Sequence, residues 1–228
     1  LKDRMCSLLP TYKIRLVEDA RKRTWLATTT ERNTVNEGLR AYGLKECRAW
    51  EKFIPTEYLN GSIEQRWELV RGLMDTDGTV NKDGGQPSFC TTSATLAEQL
   101  QYLIRSLGGI AKISRRVTKY TYKGEKLEGR PSYHVFIRHP TPSMLFPLSR
   151  KKVLCRDNGQ YTDRLKLRVK SIVPVGKEVS TCISVDNEDS LFVVKDFIVT
   201  HNTKTSQKVM VKRGVRTALI HRPSYVDK

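Results

Sequence analysis

The spacing of apolar residues divides the chain into helical and strand-like segments. Residues 11–17 alternate apolar and polar side chains, which is typical of a strand with one buried face. Residues 33–44 and 62–76 have helical spacing, and Ser62 precedes the second run as a candidate N-cap. Ser93 opens a third predicted helix, which Gly108 and Gly109 end. Its apolar face is formed by Leu96, Leu100, Leu103, Ile104 and Leu107.

Short strands are predicted around these helices. Residues 79–91 predict two strands joined by a turn. Residues 110–118 and 132–138 predict a hairpin whose connection holds Gly124 and Gly129.

The end of this region and the segment that follows it differ in pattern. Residues 143–149 predict a last short helix, so the order over residues 62–149 is αββαββα, an α+β arrangement. Residues 164–202 turn to a strand-like, all-β pattern.

Charge narrows the class of partner. The 228 residues carry 41 basic and 24 acidic side chains, and the net charge of +17 is spread over the chain. Such an excess favours a polyanion such as nucleic acid, with a merely soluble basic surface as the alternative. No apolar run approaches the roughly 18 residues of a membrane span, so no membrane partner is expected.

The five cysteines indicate the compartment. They are widely spaced and form no C-x-x-C pair, which favours neither a zinc site nor a disulfide framework. A reducing, cytoplasmic setting is therefore expected. A bacterial, archaeal or phage host is also expected. No secretory or transit signal opens the chain. It begins at Leu1 rather than Met, so a fragment or a processed piece is expected.

The helix at 62–76 runs into the sequence Gly-Leu-Met-Asp-Thr-Asp-Gly at residues 72–78. This sequence, with the αββαββα order, resembles the LAGLIDADG motif and repeat of homing endonucleases. The resemblance implies close helix packing at Gly72 and a Mg²⁺-binding carboxylate at Asp77, with Asp75 structural. An EF-hand is excluded because Val80 stands where its glycine is required, while a plain helix-ending turn stays open.

The resemblance also implies that exposed residues of these strands face double-stranded DNA. Basic and aromatic residues suit phosphate contacts and groove reading. Lys112 is a candidate for a lysine near the attacking water, with a solvated strand lysine as the alternative. The DNA-binding residues expected are Arg115, Arg116, Lys119, Tyr120, Lys123 and Arg138, and the wider set adds Ser88, Thr91, Tyr122, Arg130 and His134.

The last strand-like segment ends in His201, Asn202 and Thr203. An Asn side chain can attack its own carbonyl and cleave the following peptide bond, with the neighbouring His as general acid. The hydroxyl of Thr203 can carry an acyl group as an ester. A polar turn is the alternative for a sequence this short.

Residues 182–203 together resemble the C-terminal splicing motifs of inteins, with apolar residues where that family buries strands. The resemblance implies that Asn202 cyclises with help from His201 and Thr200, and that Thr203 receives the N-extein; no cofactor is implied for splicing. Cys182 with Thr200 is similar to class 3 inteins, in which the internal Cys attacks the N-terminal junction. A standard pathway and a small packed residue stay open for Cys182, and Ser190 stands where the family often has a catalytic His.

These segments give four predicted regions. Residues 1–61 are the end of a first LAGLIDADG repeat plus linker, and 62–149 a LAGLIDADG repeat. Residues 150–202 are the C-terminal segment of a Hint splicing domain, and 203–228 the start of the C-extein. The first metal carboxylate and the N-terminal intein half would lie upstream of Leu1. Lys204-Thr205 suggests a nucleotide-binding host, although Thr203 replaces the glycine of a Walker A loop.

Two alternatives remain at this stage. One is a DNA-binding or nuclease protein that does not splice. The other is the C-terminal half of a natural split intein, which waits for a partner chain.

Overall fold

The computed structural model describes residues 14–19, 24–29, 34–81, 85–157, 165, 171, 173–174, 183–186, 188–201 and 218–220. The chain forms two compact units, Leu1–Lys166 and Leu167–Lys228. Each is taken by itself below.

The first unit begins with an antiparallel hairpin. Strand β1 (Ile14–Asp19) pairs along its whole length with β2 (Thr24–Thr29). The strand predicted at 11–17 overlaps β1 over residues 14–17, β1 continues to Asp19, and residues 11–13 lie outside the described residues.

Two helices follow the hairpin, α1 (Thr34–Ala41) and the single turn α2 (Thr56–Leu59). The prediction that the first helix extends to Leu44 was wrong. Gly43 adopts φ +68°, a left-handed conformation that ends a helix and that glycine adopts without steric cost.

Helix α3 (Ile63–Thr76) starts as predicted. The Ser62 hydroxyl accepts from the Gln65 amide at 3.3 Å, and the Gln65 side chain accepts from the Ser62 amide at 2.9 Å. This reciprocal capping box satisfies two N–H groups that a helix start otherwise leaves open. The helix buries Val70 and Met74 completely.

A four-stranded antiparallel sheet forms the centre of this unit. Its strands are β3 (Gly78–Val80), β4 (Pro87–Thr91), β5 (Ile110–Tyr122) and β6 (Glu125–Arg138), in the order β3-β4-β6-β5. Helix α4 (Ala94–Ser106) connects β4 to β5, and its Leu96 amide donates to the Ser93 hydroxyl at 3.1 Å. The predicted order αββαββ is confirmed.

The hydrophobic core lies between one face of this sheet and helices α3 and α4. Sheet residues Phe89, Val135 and Ile137 are buried there with apolar residues of both helices. Ile54, from the segment before α2, is also part of this core. The core members are Ile54, Val70, Met74, Phe89, Leu96, Ala97, Leu100, Leu103, Ile104, Ala111, Val135, Ile137, Leu145 and Phe146.

The hairpin β5–β6 is much longer than predicted. Its turn is the dipeptide Lys123-Gly124, with φ of +50° and +87°, as a two-residue primed turn requires. Gly129 lies within β6, so its expected place in the connection was wrong. The register shifts between Val117 and Lys119, and such a bulge bends and twists a hairpin.

The short helix predicted at 143–149 is divided in two. A 3₁₀ helix spans Pro142–Leu145, and α5 spans Ser149–Lys152. Pro147 lies between them and cannot donate the backbone hydrogen bond that a continuous helix would need there.

The second unit contains short strands. Strand β7 (Ile183–Val185) pairs in parallel with β10 (Ala218–Ile220). Strands β8 (Leu191–Val194) and β9 (Ile198–His201) form an antiparallel hairpin. Leu191, Ile198 and Val199 lie in strands as predicted, but they are exposed rather than buried. Most of the strand-like region at 164–182 lies outside the described residues.

Within the ranges that the structure describes, no helix has the length and apolar character needed to cross a membrane.

Candidate nucleic-acid interface

The four-stranded sheet has one face packed on the helices and one face turned away from them. Neighbouring residues of a strand point to opposite faces, so the pairing register assigns each side chain. Phe89 and Val135 are opposite each other on the helix side. The other side, here called the outer face, carries Thr79, Ser88, Cys90, Lys112, Ser114, Arg116, His134, Phe136 and Arg138.

The outer face is organised by side-chain contacts across strands. The Thr79 and Ser88 hydroxyls are 3.0 Å apart, and the Cys90 Sγ lies 3.6 Å from His134 Nε2. The His134 ring stacks on Phe136 with centroids 6.3 Å apart. These groups combine hydrogen-bond donors and acceptors with aromatic surface, the chemistry that reads base edges and sugars.

Electrostatics on this face favour a polyanion. The Arg116 guanidinium lies 6.0 Å from the centre of the Phe136 ring. Burial, chiefly, and the nearby Asp77 carboxylate raise the pKa of the Cys90 thiol, while Arg116 acts in the opposite direction. The thiol therefore stays neutral at physiological pH and adds no negative charge beside Arg116.

The predicted DNA-binding residues divide between the two faces. Arg116 and Arg138 lie on the outer face and are exposed. Arg115 is opposite Tyr133, which packs against the core, so it points to the helix side of the sheet. Arg115 and Arg116 therefore point to opposite faces of the sheet, and their DNA-binding roles stay predictions.

The remaining predicted residues lie on the part of the hairpin beyond the bulge. Lys119 Nζ is 3.4 Å from the Glu128 carboxylate, and both side chains are largely exposed. Exposed pairs of this kind contribute little to stability, so a phosphate can displace Glu128. Tyr120 is 52% exposed, and Lys123 lies over the Tyr122 ring at the turn.

Helix α3 delivers two carboxylates of different character to the edge of the sheet. Asp75 is 4% exposed, and its Oδ1 accepts from the Leu148 amide at 3.2 Å. Asp77 is exposed at the helix C-cap, where its amide donates to the Leu73 carbonyl at 3.0 Å. The burial of Asp75 supports a structural role, and the exposure of Asp77 leaves its carboxylate available to a ligand.

A lysine that sequence reasoning missed holds this helix end. Lys151 Nζ, from α5, donates to the carbonyls of Met74 and Asp75 at 2.8 Å each and to that of Gly78 at 2.5 Å. A cation at a helix C-terminus is favourable because the last carbonyls are unpaired and carry partial negative charge.

Lys151 and Lys112 differ in both environment and position. Burial lowers the pKa of Lys151, and Arg150 adds to this, while Asp75 and Asp77 oppose it. Lys112, the lysine singled out from the sequence, lies instead on the edge strand β5, opposite Phe136.

One side of α3 is available to a second helix. A Cβ placed on Gly72 would meet nothing within 4 Å, and Gln65, Glu68 and Thr76 on the same side are exposed. A small residue in the middle of an exposed helix face allows the close approach of another helix.

A divalent cation fits this arrangement only as half of a shared site. Among the described residues, no cluster of three or more His, Cys, Asp or Glu side chains could hold a metal ion. Mg²⁺ is commonly held by one or two carboxylates together with substrate phosphates and water. Asp77 can supply one such carboxylate.

The predicted splicing residues lie in the second unit. Thr200 is half-buried opposite Phe192, and His201 ends β9 opposite Leu191. Ser190 precedes β8 with φ +52°. Cys182, Asn202 and Thr203 lie outside the described residues, so their roles stay predictions.

Residues 64–139 match the family of LAGLIDADG-like domains. This range contains Asp77, the whole four-stranded sheet and α4, and nearly all of α3. The match therefore falls on the candidate interface and not on the second unit.

The chain is also similar to curated helicases. It is 35% identical over 155 residues to the replicative DNA helicase DnaB of Mycobacterium intracellulare, covering 67% of this chain and 26% of that protein. It is 31% identical over 121 residues to DnaB of a Nostoc species, covering 49% and 14%. DnaB of Rhodothermus marinus is 31% identical over 110 residues, covering 46% and 11%. The chain thus spans about a quarter or less of the length of these relatives.

Proposed function

We propose that this chain is the C-terminal part of an intein in a replicative helicase of the DnaB kind, and that it carries a DNA-binding repeat of a LAGLIDADG homing endonuclease. The observation that supports the DNA-binding part best is the position of the family match. It covers a sheet whose outer face presents Arg116, Arg138 and His134, and also the helix end that carries the exposed Asp77. An intracellular setting follows from a helicase host.

The proposed endonuclease would have two repeats, and helix α3 and the segment before it support this arrangement. Residues 14–41 follow the order ββα, as expected for the end of a preceding repeat. The open side of α3 at Gly72 would receive the equivalent helix of that repeat. This arrangement would bring a second carboxylate close to Asp77.

Asp77 and Lys151 are the residues we assign to the cleavage site. Asp77 would hold Mg²⁺ together with phosphate oxygens, and the ion would supply charge stabilisation for phosphodiester hydrolysis. Lys151 fixes the end of α3 and so keeps the Asp77 carboxylate at the edge of the outer face. Arg116 and Arg138 would hold the DNA backbone in register.

Substitution of Asp77 tests the endonuclease assignment. In the presence of Mg²⁺, the parent chain is expected to nick a pool of duplex DNA, provided that two copies supply two carboxylates. Asp77→Asn should abolish nicking and keep DNA affinity, whereas Glu98→Gln, an exposed acid on α4, should change neither. Equal nicking by Asp77→Asn and the parent would contradict the assignment.

The splicing part rests on sequence and on the helicase relatives. Asn202 would close a succinimide and release residues 203–228, with His201 protonating the leaving amine. Thr203 would carry the N-extein as an ester before the final shift to an amide. Cys182 with Thr200 supports the class 3 route, in which Cys182 forms the first thioester. An N-terminal intein half, in the same or another chain, would complete the reaction.

Intact mass measures this reaction directly. After incubation with a thiol, the parent chain is expected to lose residues 203–228, and Asn202→Ala is expected to stay whole. Equal cleavage of both chains would point to a protease and would contradict Asn202 cyclisation.

A further inference from the structure

The segment that precedes α2 is fixed to helix α4 and its N-cap by hydrogen bonds between their side chains and the backbone of the segment. The Gln99 side chain accepts from the Ile54 amide at 2.6 Å and donates to the Ile54 carbonyl at 2.9 Å. The Ser93 hydroxyl donates to the Lys52 carbonyl at 2.6 Å. Ile54 itself is 4% exposed in the core. Residues 52–54 are therefore a rigid part of the first unit.

Two residues before this anchor, Trp50 contacts the long hairpin. The Arg130 guanidinium carbon lies 3.5 Å from the centre of the Trp50 ring, which places the two planar groups in direct contact. Arg48 lies over the same ring at 5.3 Å. Trp50 is half-buried, whereas both arginines are exposed. A guanidinium over an indole face is attracted to the ring electrons and also packs as a plane.

The contact falls where the hairpin is easiest to bend. Arg130 adjoins the register shift opposite Thr118, and bulges bend the strands that contain them. Strand β4 ends at Thr91, opposite Tyr133, so it no longer supports β6 at Arg130. Beyond the bulge lie residues 119–128, here called the distal arm, and all of them are exposed. They carry Lys119, Tyr120, Tyr122, Lys123 and Lys126.

We propose that Trp50 is a positioning residue that, through Arg130, sets the direction of the distal arm and thereby brings its lysines to the DNA backbone. This inference rests on the proposed DNA-binding function. The hydrogen bonds from Ser93 and Gln99 hold the segment that carries Trp50 in place, and the distal arm is the part whose direction depends on it. Trp50 itself does not contact the DNA.

Amide hydrogen exchange in the free protein tests the mechanical step. Trp50→Leu should make residues 119–128 exchange about two- to fivefold faster, since an exposed cation–π contact of ordinary strength is lost. Trp50→Phe keeps an aromatic face and should restore most of the protection. Tyr58→Leu, an equally drastic change of an exposed aromatic on α2, should leave the arm unchanged.

DNA binding by the full chain tests the consequence, with a fluorescein-labelled mixed-sequence duplex as probe. Trp50→Leu should reduce the salt dependence of binding by about two units of slope, which corresponds to two lost phosphate contacts. In a Lys123→Ala, Lys126→Ala background, Trp50→Leu should cause no further loss. Additive losses would show that Trp50 acts independently of the arm and would overturn the proposal.

The two measurements separate the possible failures. If the parent does not bind the duplex, the proposed function fails, and the exchange experiment still decides whether Trp50 holds the arm. If exchange in the arm is the same in the parent and Trp50→Leu, the positioning role is refuted even when the DNA is bound.

Discussion

Replacement of Lys151 by Met should destabilise the first unit substantially. The ammonium lies within hydrogen-bonding distance of four carbonyls at the end of α3 and the start of β3, those of Met74, Asp75, Thr76 and Gly78. Met keeps the length and the apolar stem but leaves those carbonyls without their donor.

The magnitude follows from two opposing contributions. A hydrogen bond to a charged group contributes about 1.5–3 kcal/mol, and a cation at a helix C-terminus up to about 2 kcal/mol. Burial of the ammonium offsets part of this sum, as the lowered pKa of Lys151 indicates. A net loss of about 2–3 kcal/mol is expected, or roughly 5–10 °C in the melting temperature of a unit of this size.

Thermal unfolding followed by circular dichroism measures the loss, with Lys152→Met as the matched control. Lys152 is the next residue, has an exposed side chain and makes no bond to α3 that the structure describes. The control should melt within about 2 °C of the parent, as surface substitutions usually do. Equal shifts in the two variants would refute the reasoning that Lys151 holds the helix end.

Three further changes have expected outcomes. Gly78→Ala should lower the free energy of unfolding in urea by about 1–3 kcal/mol, because the new Cβ would lie 2.5 Å from the Met74 carbonyl oxygen. Gly72→Ala places its Cβ in open space and should stabilise α3 by up to about 1 kcal/mol. If both substitutions destabilised the protein, the difference expected between the two sites would be contradicted. Burial lowers the pKa of His139 from 6.5, so the unfolded state binds more protons below that pH and stability should fall as the pH drops through about 6.5. His139→Gln should flatten this dependence in denaturant titrations at several pH values, and an unchanged profile would rule His139 out as its source. Burial, with Asp157, raises the pKa of Cys155 to about 11. Near neutral pH, alkylation of Cys155, followed by peptide mapping, should therefore be roughly 100-fold slower than that of free cysteine. In urea, which unfolds the protein, this difference in rate should disappear.

Local features of the fold were predictable from the sequence. Ser62 and Ser93 begin helices as predicted, because an N-cap depends on residues within one turn. The apolar face of α4 was also correct, since its spacing is strictly periodic. The positions of β3 and β4 followed from their turn residues.

Features that depend on tertiary contacts were missed. The distal arm alternates polar and aromatic residues without an apolar face, so its length could not be read from burial patterns. The contacts of Lys151 join residues more than 70 positions apart, which no local pattern reveals. The separation of Arg115 from Arg116 follows from strand pairing, which the charge pattern alone does not contain.

The salt dependence of DNA binding tests most directly whether the outer face of the four-stranded sheet binds duplex DNA. The test variant is Arg116→Ala with Arg138→Ala, and the control is Arg40→Ala with Lys45→Ala, which removes the same charge from exposed positions outside the sheet. For the test variant, the logarithm of the DNA affinity should fall less steeply with the logarithm of the salt concentration. The slope should be smaller by about two units, because each lost phosphate contact removes about 0.9 from it. The control should keep the slope of the parent. Equal slopes for the test variant and the control would show that DNA binding depends on the net charge of the chain and not on the outer face, which would contradict the proposed interface.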